Sequence, residues 1–147
     1  MTPSRLRLAM NTWPTYRFAG VRVEQIAEDW TSVDVRLRVR GLQRNAVGTA
    51  FGGTLFAMSD PFLMMMAMNQ LGRAYVVWDK QAAIEYVKPG LGTIRGHFEL
   101  PTDTVEEMRV ATKDGDKHLR WFEDVLTDDA GDVVARLRRQ LYVRRAR

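Results

Sequence analysis

Two adjacent glycines, Gly52 and Gly53, lead into a run of apolar residues, and one carboxylate, Asp60, stands inside that run. Glycines at a helix entrance let another group approach the backbone, and the first amides of a helix point their N–H groups at it. With the helix dipole behind them, such amides suit a carbonyl oxygen that gains negative charge during a reaction. A tight loop that needs glycine for its backbone angles explains the same pair without chemistry. Asp60, seven residues past Gly53, is the second element. A carboxylate among apolar neighbours must be paired or carry a raised pKa, and in a cleft it is a candidate base or nucleophile. In Ser59-Asp60-Pro61, however, Asp60 also has the form of a helix N-cap with Pro61 at the first helical position. Local signals leave both readings open.

The elements that must position these residues follow from periodicity. Val33, Val35, Leu37 and Val39 alternate with polar residues across 31–40, as in a strand with one buried and one wet face. Shorter or similar strand patterns fall at 20–26, 75–87, 93–100, 119–126 and 133–143, the last two joined by the turn sequence 128–132. Residues 102–113 predict a short helix, and 4–10 a helical turn. Only 54–71 breaks the period of two: it is apolar nearly all round and ends at Gly72, which predicts a helix buried on most sides. Asp60 and Pro61, with the shortness of the run, exclude a membrane span. Pro61 cannot donate its helical hydrogen bond, so a kink is expected there. One long central helix wrapped by an antiparallel sheet of about five to six strands, an α+β fold in a single domain over 1–147, is the simplest assembly.

Two further groups bear on a site. Met58, Met64, Met65, Met66 and Met68 crowd the central helix; core packing explains most of them, while flexible thioethers also suit the wall of a tunnel for varied apolar shapes. Asp79 and Lys80 are neighbours on a strand and should point to opposite faces. Asp79 is then a second pocket carboxylate, or Lys80 a partner for Asp60, or the two are a surface pair. The two histidines, His97 and His118, sit in polar contexts that suggest no direct role.

Asn45, Gly52 and Asp60 stand at offsets of 7 and 15 ahead of and within the apolar helix. This pattern resembles the active-site segment of hotdog-fold acyl-CoA thioesterases of the phenylacetic-acid-degradation type. There an Asn or Gln comes first, a His-Gly-Gly turn opens the central helix, and an Asp or Glu follows. More closely, N-A-V-G-T-A-F-G-G-T-L-F-A-M-S-D-P-F, L-G-R-A-Y-V-V-W-D-K and Y-V-K-P-G resemble a bacterial branch of the thioesterase-like hotdog proteins, with weaker likeness over most of the rest. The resemblance implies a hotdog fold and hydrolysis of an acyl thioester. Asp60 would activate water or attack the carbonyl, Gly52 would polarise its oxygen, and Asn45 would position the water or acyl group. Gly53, Thr49, Phe51, Met64, Asp79 and Lys80 are the expected substrate contacts. It also implies a homodimer or dimer of dimers, with the pocket between two subunits. Two residues depart from the pattern: Phe51 replaces the His of the turn, and Pro61 follows the carboxylate. With no His at the turn, a hydratase is disfavoured.

Composition narrows the classes further. Of 147 residues, 46% are hydrophobic and 27% charged, as in an ordinary globular protein. No Cys is present, which excludes disulfides, thiolate chemistry and a Cys-based metal site. No secretory signal is read at the N-terminus, and a cytoplasmic location fits. No metal or separate cofactor is expected; coenzyme A enters only as part of the substrate. The net charge is +4, and six Arg fall between Arg136 and Arg147. A solvated face explains this basic tail; contact with the coenzyme's phosphates is a looser alternative, and nucleic acid is not an expected partner. A non-catalytic module that binds acyl chains or acyl-CoA is the competing reading to an enzyme.

Overall fold

The computed structural model describes residues 1–146. Its sheet has six antiparallel strands: β1 (Val21–Ile26), β2 (Ser32–Arg38), β3 (Tyr75–Tyr86), β4 (Thr93–Glu99), β5 (Lys117–Thr127) and β6 (Val133–Arg145), in the spatial order β1-β2-β4-β5-β6-β3. The alternation read from 31–40 is realised in β2, where Val33, Val35 and Leu37 are buried and Asp34, Arg36 and Arg38 face outward. β5 and β6 form a long hairpin, and β3 adds to the far side of β6 as an edge strand. β4 and β5 pair only at Arg95–Thr127 and Gly96–Leu126 before they diverge.

The apolar segment is helical in two pieces, α3 (Gly52–Ala57) and α4 (Phe62–Leu71), separated by a turn that carries Ser59, Asp60 and Pro61. The expected kink is therefore a full break, and Asp60 lies in the turn rather than within a helix. Nor is it an N-cap: Pro61 occupies that position in α4, and no side chain caps the helix. Gly72 ends α4 with φ of 87°, a conformation that costs glycine little.

α4 fills the concave side of the sheet. Phe62, Leu63, Met66 and Ala67 are buried, and Phe62 stacks on Phe98 of β4 at 5.6 Å between ring centroids. Burial is not all round, however. Met64 and Met65 are half-buried and Met68 is 47% exposed, so part of the helix's apolar surface lies outside this chain's own core. The short helix expected at 102–113 is α5 (Thr102–Ala111), packed on α4. The N-terminal turn is a longer helix, α1 (Pro3–Thr12), which buries Leu6 and Met10 against β1. A second helix, α2 (Pro14–Ala19), was not legible in the sequence, and it matters for the site.

Candidate active site

Asp60 sits at a cleft of about 430 Å³ between α2, the α3–α4 turn and the edge strand β3; Trp13, Tyr16, Gly53, Lys80 and Arg139 share its lining. The organising group is Arg139 of β6, whose side chain is only 7% exposed. Its Nη1 donates to Oδ1 of Asp60 at 3.1 Å and to Oδ2 of Asp79 at 2.8 Å. Its Nη2 donates to Oγ of Ser59 at 2.9 Å, and the guanidinium lies 5.7 Å from the centre of the Phe56 ring. Ser59 in turn donates to the carbonyl of Phe56, closing the turn on itself. A buried guanidinium needs such partners, and its planar fork spreads its donors over three of them.

The two carboxylates differ. Asp79 is 16% exposed, and its Oδ1 is buried with no hydrogen-bond partner among the described residues. Burial pushes its pKa up, Arg139 opposes this, and the neighbouring Asp60 adds to it. Asp60 is 59% exposed and lines the cleft, with Oδ1 held by Arg139. Tyr16 fixes the main chain of this turn by donating to the carbonyls of Ala57, at 3.0 Å, and Asp60. Burial raises the Tyr16 phenol strongly, with a further contribution from Asp60, so the hydroxyl remains a donor.

The expectation that Asp79 and Lys80 face opposite ways is corrected. The register between β3 and β6 shifts between Asp79 and Gln81, a bulge at Lys80, and both residues line the cleft. Lys80 is exposed, while the partner recorded for Asp60 is Arg139 rather than Lys80. Gly53 reaches the same cleft, and Gly52 lies at the start of α3. Gly52 has no positive φ; a Cβ there would stand 2.8 Å from the hydroxyl of Tyr86 of β3, an exposed side chain that would have to give way. Asn45 is not brought to Asp60. Its side chain closes its own loop, bonding the Thr49 hydroxyl, the amides of Val47 and Thr49, and the Ala50 carbonyl. Thr49 is thus occupied within that loop, and Phe51 is 58% exposed beside it. Met64 packs against the core.

Sequence reasoning missed Arg139 and Tyr16. For Arg139 the signal was present, since it shares the parity of Leu137, Leu141 and Val143 and so falls on the buried face of β6. His97 is engaged on the outer face with Asp34 and Glu99. No grouping of three or more His, Asp or Glu side chains fit to hold a metal occurs among the described residues. No helix among them is long and apolar enough to cross a membrane.

A helix packed against a six-stranded antiparallel sheet, entered through the Gly52–Gly53 turn, is the hotdog fold. The chain belongs to the DUF4442 family, described as a domain of unknown function, whose pattern matches residues 4–143. No curated protein matches it in sequence. Among solved structures it is similar to a Pseudomonas aeruginosa protein of unknown function described as a probable thioesterase. That likeness has 21% identity and a TM-score of 0.84, over 97% of this chain and 96% of the other. A thioesterase of Haemophilus influenzae is similar at 11% identity and a TM-score of 0.70, over 99% of this chain and 92% of that one. These likenesses establish the fold.

Proposed function

We propose that the protein hydrolyses an acyl thioester, with coenzyme A as the thiol carrier, and that Asp60 is the group acting on water. The observation that carries this reading is the Asp60 carboxylate itself. Its Oδ1 is fixed by a buried arginine, while the side chain stays 59% exposed and lines a cleft that Gly53 also lines. In the reaction, Oδ2 accepts a proton from water as the water oxygen bonds to the thioester carbon. The carbonyl oxygen then gains charge and is met by the first amides of α3. Collapse breaks the C–S bond, and the thiolate takes the proton, giving a carboxylic acid and free thiol. Gly52 begins α3 and Asp60 lies in the turn beyond its end, so the helix, about 9 Å long, stands between that amide and the carboxylate of the same chain.

That separation supports a working unit of two chains, in which the Gly52 turn of one faces Asp60 of its partner. β3 offers an open edge for the pairing: Val76 and Trp78 are each 43% exposed and its outer main chain has no strand beside it. We place the activity in the cytoplasm. A second reading, an acyl-CoA binding module without turnover, draws on Asn45, whose side chain is committed to its own loop and not to a water near Asp60.

Thiol release across a panel of acyl-CoA chain lengths, run beside Asp60→Asn, tests the proposal. Turnover by the wild type and a loss of about 100-fold or more in the variant are expected. Tight acyl-CoA binding without any thiol release by the wild type selects the binding module.

A further inference from the structure

At the other end of α2, five arginines converge on one hollow of about 370 Å³: Arg17 of α2, Arg22 of β1, Arg36 and Arg38 of β2, and Arg40 just beyond it, with Gln43 at its rim. Arg22 and Arg36 are direct partners in the β1–β2 register, which sets two guanidinium groups side by side on the outer face. No carboxylate lines the hollow. Arg36 alone is bonded to one, Glu24, and no ion pair of Arg17, Arg22, Arg38 or Arg40 is found among the described residues. Elsewhere on the same face the charges are matched, Arg95 with Glu24 and Asp129, and His97 with Asp34 and Glu99. Three arginines of β6 are paired as well: Arg136 meets Glu85, Arg138 meets Glu123, and Arg139 meets Asp60 and Asp79.

Like charges directly opposite on a sheet destabilise it, so an unmatched group of this size calls for a ligand that supplies the missing charge. Guanidinium forks fit phosphate oxygens in pairs, and several forks around one small hollow fit phosphates set close together. The hollow is compact and bounded by neutralised surface, which suits a small molecule better than a long polyanion. We infer that the pocket of Arg17, Arg22, Arg36, Arg38 and Arg40 binds the clustered phosphates of a nucleotide-bearing thiol carrier, the diphosphate and ribose phosphate of coenzyme A. This rests on the thioesterase reading for the identity of the carrier. The pocket and the Asp60 cleft flank one short helix: Tyr16 reaches Asp60, the next residue lines the arginine hollow, and α2 spans about 9 Å.

Calorimetric titration with coenzyme A, its dephospho form lacking the ribose phosphate, and phosphate-free pantetheine tests the site independently of turnover. The wild type is expected to bind in that order of strength, with coenzyme A weakening as salt rises. Arg22→Gln/Arg38→Gln/Arg40→Gln should bind coenzyme A about tenfold or more weakly while binding pantetheine as before. Its thermal midpoint should be unchanged or higher, because repulsion has been removed. Equal binding of coenzyme A by the variant and wild type overturns the assignment, as does wild-type binding of pantetheine as tight as coenzyme A. Tighter binding of a DNA oligomer than of coenzyme A also overturns it. Should the triple variant not fold, the ligand series on the wild type decides alone. Arginine-dependent binding without thiol release sinks the hydrolase and leaves the site standing. Equal turnover of acyl-CoA and acyl-pantetheine by wild type sinks the site and leaves the hydrolase standing.

Discussion

Two carboxylate environments flank β6, and they differ in exposure and in pairing. At the Asp60 cleft, two carboxylates share one buried cation, and the turn between helices is tied down by Ser59 and Tyr16. On the other side of β6, Asp124 of β5 lies at a hollow of about 560 Å³, near the place where β4 and β5 diverge. Its carboxylate makes no ion pair or hydrogen bond among the described residues, and burial pushes its pKa up to about 6 despite the more distant Arg139 and His97. A perturbed pKa alone would make Asp124 the stronger candidate for proton transfer. What distinguishes Asp60 is a fixed oxygen, a held main chain and a glycine turn in the same cleft. Geometry, more than burial, marks the site.

Removing the cation should expose this difference most strongly. Arg139→Met leaves Asp79 buried and unpaired, and should cost about 3 kcal/mol in urea unfolding at pH 8. Protonating Asp79 should recover part of that loss, so the deficit is expected to shrink toward pH 4. A deficit independent of pH would mean that Arg139 is chiefly packing. Asp124→Asn should have the opposite sign. The folded state keeps this carboxyl protonated up to about pH 6, whereas the unfolded chain releases it near 3.8. Stability from this group therefore falls as pH rises through that window, and the penalty is full above it. The amide should gain about 1–2 kcal/mol at pH 8, allowing for solvent screening, and almost nothing below pH 4. Equal gains at both pH values would remove the distinction drawn here. Tyr16→Phe is the mildest, at about 1 kcal/mol, since it deletes one hydroxyl that holds the Asp60 turn. If Asp60 works where the turn puts it, thiol release should fall by more than stability accounts for.

β2 and β4 were legible because one face of each is buried, so the period of two survives there even where Arg or His fills the other face. Asp60 was legible by type, and its setting was not. Whether Ser59-Asp60-Pro61 caps a helix or interrupts one depends on Arg139, 79 positions along the chain, and on Tyr16 in a helix too short to show a period. The bulge that turns both Asp79 and Lys80 to the cleft is equally silent, since it arises from pairing between strands rather than from either strand's residues. The arginine hollow was hidden for a different reason: its members alternate correctly within each strand, and only the register brings Arg22 beside Arg36.

The Gly52 backbone is one that any residue adopts, so nothing local holds the position to glycine; the constraint is the Tyr86 hydroxyl, across a gap of 34 residues. A side chain at position 52 therefore needs the exposed end of Tyr86 to give way, and a swing of that ring toward solvent is enough. The width of the turn's mouth is thus set by the rotamer of a residue on the edge strand, which sequence order keeps out of sight.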